Sequence, residues 1–278
     1  AAGGPEDDHE GTTLEDAVMR ARQGMKVMMR YGSAWHDVAA QVKAVTQLGL
    51  DSRHFLLCTD DSHSATLIQE GHMDRVIRHA IGQGLPEMTA IQMATINTAD
   101  HFGLQREMGM IAPGRFADVL LVENLMNFKA DLVIAKGRPI ADRGELLIDL
   151  PKIDYPEWAL NSIHLGRDLT SADFAIHAAK SSTGEARANV IGVIENQAPT
   201  KHLVMAVPVV DGFAEMNLDK DVLKIAVVER HRGSGRVQTG FVHGFGLTGR
   251  CAIATTVAHD CHQLIVTGTD EQMMAIAV

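Results

Sequence analysis

The stretch Leu56-Leu57-Cys58-Thr59-Asp60-Asp61-Ser62-His63-Ser64 decides how the chain is read, because a short apolar run ends in two adjacent carboxylates and then turns polar. The run from His54 to Cys58 has the length and character of a buried parallel strand, which places Asp60 and Asp61 at its carboxyl end. That is the end at which α/β barrels keep their chemistry. Beyond it, Gly71 to Ile81 carries Val76, Ile77, Ala80 and Ile81 at helical spacing, so the local grammar is strand, acidic loop, helix. Standing alone, the Asp pair would read as a solvated turn with a helix cap. The neighbouring sequence argues for more.

Upstream, Thr12 and Glu15 have capping-box spacing, and Leu14, Ala17, Val18, Ala21 and Met25 trace one helical face. His9 then lies in the loop leading into that helix, where a preceding strand would end. Gly24 closes the helix, Met25 to Arg30 reads as a short strand running into Tyr31-Gly32-Ser33, and a helix over 34–48 leads back to the strand at His54. His9, Arg30 with Ser33, and Asp60 with Asp61 thus stand at successive strand ends, and right-handed crossovers would bring them to one rim. Two such strands cannot close a barrel of eight. The opening on Ala1 and the acidic residues before His9 are read as the ragged end of something larger.

Downstream, Pro86 to Ala99 is expected to be a helix with Pro in its first turn. A Gly/Pro turn at Gly109 to Gly114 feeds an apolar strand through Val119 to Val122, and Asp131 to Ile140 reads as strand, turn, strand. After Pro151 and Pro156 come short strands at 188–195, 202–210 and 223–229. A glycine-rich stretch over 233–249 is then read as loop, and Thr269 with Gln272 as a cap before a final helix.

The whole chain has 278 residues, 46% of them hydrophobic, with a formal net charge of −10. An acidic balance with no clustered Lys and Arg excludes a phosphate-backbone partner. No apolar run approaches the roughly 18 residues of a membrane span. Cys58, Cys251 and Cys261 form no CxxC pair, which suits a reducing compartment and speaks against a thiolate zinc site. A cytoplasmic protein is expected, with no nucleic-acid and no membrane partner.

Six phrases carry a family resemblance. Gly109-Met110-Ile111-Ala112-Pro113-Gly114-Arg115-Phe116-Ala117-Asp118 resembles the G-x-I-x-P-G-x-x-A-D signature that closes the amidohydrolase barrel. Asp8-His9-Glu10, Arg30-Tyr31-Gly32-Ser33, Thr59-Asp60-Asp61 and Gly71-His72-Met73-Asp74 together resemble the bacterial adenine deaminase family within that superfamily. The segment from Thr256 to Gly268, with His259-Asp260-Cys261-His262, is similar to its C-terminal domain, where the usual wording is HDSHN. Order and spacing make the match specific.

The resemblance implies an α/β fold. Residues 1–105 would be the terminal βα units of a TIM-type barrel, 106–150 a small β unit, and 151–278 a truncated α+β C-terminal domain. It implies hydrolytic deamination of adenine to hypoxanthine and ammonia, as in purine salvage, with His9 and Asp60 as metal ligands and the other early ligands absent from this chain. A metal would lower the pKa of bound water from ~15.7 towards ~7 and supply hydroxide. Asp60 would also move the proton, from the water to the leaving nitrogen. The metal is expected to be divalent: Mn first, with Fe or Zn as alternatives. Asp61 is assigned to substrate, with the role of Asp60 as its alternative, and Ser33 to substrate. Arg30 is assigned to substrate or to an ion pair that orients the carboxylates. His259 and His262, three apart near strand ends, would point to opposite faces and are not taken as ligands. The full-length form is expected to be a homo-oligomer. Competing readings are a non-catalytic fragment or pseudo-enzyme that needs a partner chain, and an amidohydrolase of another cyclic amide.

Overall fold

Three parallel strands position the candidate residues. The computed structural model describes residues 3–178 and 184–278; Ala1, on which the expectation of an upstream segment rests, lies outside them. The chain divides into two compact units, residues 1–151 with 195–198, and residues 152–194 with 199–278.

In the first unit, β1 (Asp7–Asp8), β2 (Lys26–Arg30) and β3 (Phe55–Cys58) form a parallel sheet in that order. Met29 stands in register with Leu57, and Arg30 with Cys58. The short β1 supplies the strand expected ahead of His9. Successive side chains of a strand alternate between faces. Val27, Met29, Phe55 and Leu57 share one face, and all four enter a core with Val38, Val76, Ile77, Ala80, Ala90 and Met93 from the helices. The helices are α1 (Leu14–Arg22), α2 (Val38–Gln41), α3 (Lys43–Thr46), α4 (Ser64–Gln69), α5 (Met73–Gly82), α6 (Glu87–Ala94) and α7 (Ile96–His101).

Boundaries depart from the sequence reading for local reasons. Helix α1 is capped by Thr13 with Asp16, one residue later than Thr12 and Glu15. The Asp16 carboxylate reaches back to both the Thr12 and the Thr13 amide, which fixes this register. His54 belongs to a 3-10 turn and not to the strand. The helix expected over 34–48 begins only at Val38 and ends at Thr46, because Tyr31 pairs with His36 in an isolated bridge and the Asp37 amide donates to Arg30 O, which holds the preceding residues in a turn. The helix expected from Pro86 to Ala99 breaks at Thr95, where φ is −127° and ψ −89°. After it comes an antiparallel sheet of β4 (Val119–Val122), β5 (Ala130–Ala135), β6 (Arg138–Asp142) and β7 (Glu145–Leu146).

The second unit carries helix α8 (Glu157–Leu160), the short β8 (Ile176–His177), and long strands β9 (Glu185–Gly192) and β10 (Lys201–Val210). These are followed by β11 (Phe213–Ala214), β12 (Val222–Val228), β13 (Val237–His243), β14 (Ala252–Thr255), β15 (Leu264–Gly268) and helix α9 (Glu271–Ala277). The eight strands form one sheet in the order β14-β15-β12-β13-β9-β10-β11-β8. Strand β13 corrects the expectation of a loop over 233–249. Gly240 pairs with Ile225 inside the ladder, and the β-forming Val237, Phe241 and Val242 outweigh the flanking glycines. The α9 cap is Asp270 rather than Thr269, its side chain accepting the Met273 amide. No helix among the described residues is long and apolar enough to cross a membrane.

Candidate active site

Arg30 is the centre of the rim. It is 1% exposed, and its guanidinium meets a carboxylate from the loop after each of the three strands. Nε donates to Asp37 Oδ2 at 2.6 Å. Nη1 donates to Asp60 Oδ2 at 2.8 Å and to Glu10 Oε2 at 3.1 Å. The guanidinium also lies 4.9 Å from the centroid of the Trp35 ring. Such charge-assisted bonds are the strong ones, and a planar fork fixes direction as well as energy.

Asp60 adopts φ of 57°, a left-handed conformation that Asp tolerates better than most residues and that turns the chain sharply off β3. Its Oδ1 accepts the following amide, that of Asp61, at 2.8 Å. A carboxylate has about four lone-pair positions, so two such bonds leave it able to accept more. Asp61 itself is exposed. The exposed His9 lies with Nε2 3.2 Å from Glu10 Oε1. Glu10 therefore links His9 to the same guanidinium that holds Asp60.

The loop after β2 is fastened to the loop after β3. The Ser33 hydroxyl accepts the His63 amide at 2.8 Å and bonds Thr66 Oγ1 at 2.7 Å, while the Ser33 amide donates to Asp61 O at 3.0 Å. Gly32 sits so close that a Cβ there would stand 2.6 Å from Asp61 O and 2.7 Å from Thr59 O. From α5, Arg75 donates to the carbonyls of Tyr31 and Gly32, both at 3.0 Å, and lies 3.9 Å from the Tyr31 ring centroid. The other face-on neighbour of Tyr31 is His79, its ring centroid 3.7 Å away. Burial, then the nearby His36 and Arg75, holds the His79 imidazole down to a pKa of about 4. Burial pushes the Asp37 carboxyl up against the pull of Arg30.

The donor types of His9 and Asp60 suit a divalent cation, but their number does not. No group of three or more His, Cys, Asp or Glu gathers as metal ligands among the described residues, whereas a catalytic site holds its ion with at least three protein groups. The described residues of this chain do not by themselves fit a metal. His259 and His262 correct a different expectation: they lie in a loop before β15 and not on a strand, so alternation does not apply, and their rings meet edge to face at 5.1 Å.

Sequence reasoning missed Glu10 and Asp37. Glu10 stood beside His9 in an acidic run, and Asp37 fell inside the helix expected over 34–48. Nothing in one sequence separates an Asp in the first turn of a helix from one that turns back to an arginine seven residues earlier.

Against known proteins, residues 9–140 match the amidohydrolase family. Residues 197–278 match the adenine deaminase C-terminal domain. Among curated relatives, the adenine deaminase of Mesorhizobium japonicum is 60% identical over 277 residues, covering 100% of this chain and 46% of the relative. Adenine deaminase 3 of Rhizobium meliloti is 57% identical with the same coverage. The adenine deaminase of Moorella thermoacetica is 45% identical, covering 97% of this chain and 45% of its own length. The chain thus spans a little under half of these relatives. A solved β-aspartyl dipeptidase of Fervidobacterium islandicum aligns over 51% of the chain and 39% of its own at 18% identity, with a TM-score of 0.38.

Proposed function

We propose that this chain supplies the last strand ends and the C-terminal domain of an enzyme that hydrolyses adenine to hypoxanthine and ammonia. The observation that carries the reading is the 60% identity to an adenine deaminase along the entire chain. In the finer division, residues 1–105 are the terminal βα units of a TIM-type barrel, 106–150 a small β unit and 151–278 the C-terminal domain.

Asp60 is the proton carrier: it takes a proton from the attacking water and returns it to the departing amino nitrogen. Arg30 orients Asp60 rather than touching substrate, since two of its three nitrogens are already bonded to carboxylates. Asp61, exposed beside it, is the substrate contact. The Ser33 hydroxyl, assigned to substrate from sequence, serves the reaction by holding the two loops together. His9 and Asp60 offer donors that suit Mn, our choice, as well as Fe or Zn. Two groups are too few to hold such an ion, so it would need ligands from elsewhere in the whole enzyme.

The test is a hybrid in which this chain replaces the matching C-terminal part of the Mesorhizobium relative. The hybrid should release ammonia from adenine, and Asp60→Asn should lower turnover by roughly 10²–10⁴-fold. A hybrid that folds but releases no ammonia, or an Asp60→Asn hybrid with near-normal turnover, overturns the reading.

A further inference from the structure

Asp37 is buried more deeply than any cap requires. It is 1% exposed, occupies the N-cap position of α2, and makes no side-chain capping bond there. Its main chain is doubly anchored: the Asp37 amide donates to Arg30 O at 3.1 Å, and Asp37 O accepts from the Ala40 and Gln41 amides. Its carboxylate gives Oδ2 to Arg30 Nε, while the equally buried Oδ1 has no hydrogen-bond partner. Burying a carboxylate with one oxygen unpaired is costly. A capping bond given up in addition makes stability a poor account of the residue. What the arrangement does accomplish is to fix the guanidinium plane from behind, so that Nη1 is aimed at Asp60.

We propose that Asp37 is a positioning residue for the deamination, acting on Asp60 through Arg30; the proposal rests on the reading of Asp60 as proton carrier. The two carboxylates are bridged by one guanidinium, Nε on Asp37 and Nη1 on Asp60, and that bridge is the route of the influence. A misplacement of about 1 Å at a reacting group can cost about 100-fold in rate, and the loss belongs to turnover rather than to binding.

In the hybrid enzyme, Asp37→Asn keeps an acceptor in the same place without the charge. We expect kcat on adenine to fall about 10–100-fold with KM unchanged within about twofold. In an Asp60→Asn background the same substitution should change kcat by less than about twofold, because the group it positions is already gone. A purely structural role would instead multiply through both backgrounds, and equal factors overturn the proposal, as does an unchanged kcat in the first background. A second arm uses the 278-residue chain itself and needs no activity. The Tm changes of Asp37→Asn, Asp60→Asn and the double variant should depart from additivity by more than about 2 °C. Additive shifts deny the link through Arg30 and overturn the proposal. If the hybrid never releases ammonia, the adenine reading fails, while the melting cycle still decides whether Asp37 and Asp60 are joined. Asp37→Ser, smaller but still an acceptor, repeats both arms should Asp37→Asn not fold.

Discussion

Each unit buries a cation almost completely, and the two are held differently. Arg30 in the first unit is 1% exposed and meets carboxylates from three separate loops, one of which, Asp37, is itself 1% exposed. Lys224 on β12 of the second unit is 0% exposed and meets Glu215 and Glu271, whose side chains are 35% and 25% exposed. A buried cation is tolerable only when paired, but what breaks when it is removed depends on where the partners are left. Glu215 and Glu271 can turn to water. Asp37 cannot. The first arrangement builds a rim from loops that share no regular structure, while the second pins the start of α9 to a sheet already held by its own ladder.

The largest expected effect follows directly. Arg30→Met should destabilise the first unit by about 3–5 kcal/mol, because it strands a buried carboxylate. Lys224→Met should cost the second unit about 1 kcal/mol or less, because its partners hydrate. The chain has two tryptophans, one in each unit, so in a Trp158→Phe background Trp35 reports urea unfolding of the first unit alone, and hydrogen exchange follows β12 and α9 in the second. Equal losses in the two units would break the comparison.

A middle-sized effect separates the units by pH. His79 has a folded pKa of about 4 against an ordinary 6.5, so its neutral form contributes stability that is fully present above about 6.5 and is lost as pH falls towards about 4. In the second unit, Asp173 is held down to about 2 by Arg167 and then the Thr170 amide, and Glu229 to about 2 by the amide and hydroxyl of Ser234. Their contribution is present above the unfolded values of 3.8 and 4.5 and is lost only below them. Acidification from pH 7 to 5 should therefore lower the urea midpoint of the first unit and spare the second. Asp37, whose carboxyl is pushed up, works in the opposite sense, so His79→Phe is the sharper probe: it keeps a ring against Tyr31 and should remove much of the acid sensitivity.

The smallest effect concerns a cap. Thr13→Ala should cost about 1 kcal/mol, since it deletes the bond that the Asp16 amide donates to Thr13 Oγ1 but leaves the Asp16 carboxylate accepting from the Thr12 and Thr13 amides. Thr12→Ala, at the position sequence spacing favoured, should lie within ~0.5 kcal/mol of the parent on the same urea curves.

What could be read in the sequence follows what periodicity encodes. The runs at 26–30 and 55–58 are legible as strands because a short, continuous apolar run between breakers suits a strand covered on both faces, and with them comes the placing of Arg30 and Asp60 at strand ends. Strand β13 was hidden by glycines whose number suggested a loop, although one of them sits mid-ladder. The convergence of Glu10, Asp37 and Asp60 on Arg30 was hidden by something else. It depends on how far loops of different strands lean toward one another, and that distance has no signature in local pattern.

The close approach at Gly32 sets a limit on what mutation can reach. A saturation scan of this chain should show a position where even alanine is refused, though the residue there carries no charge, no hydrophobic surface and no chemistry. The refusal would come from two carbonyl oxygens, of Thr59 and Asp61, standing within 3 Å of where the first side-chain carbon would have to be. On the proposed reading of Asp61 as a substrate contact, substrate range is open to exchange of that side chain, but not to building outward from the backbone between Tyr31 and Ser33, where the molecule has left no thickness to build on.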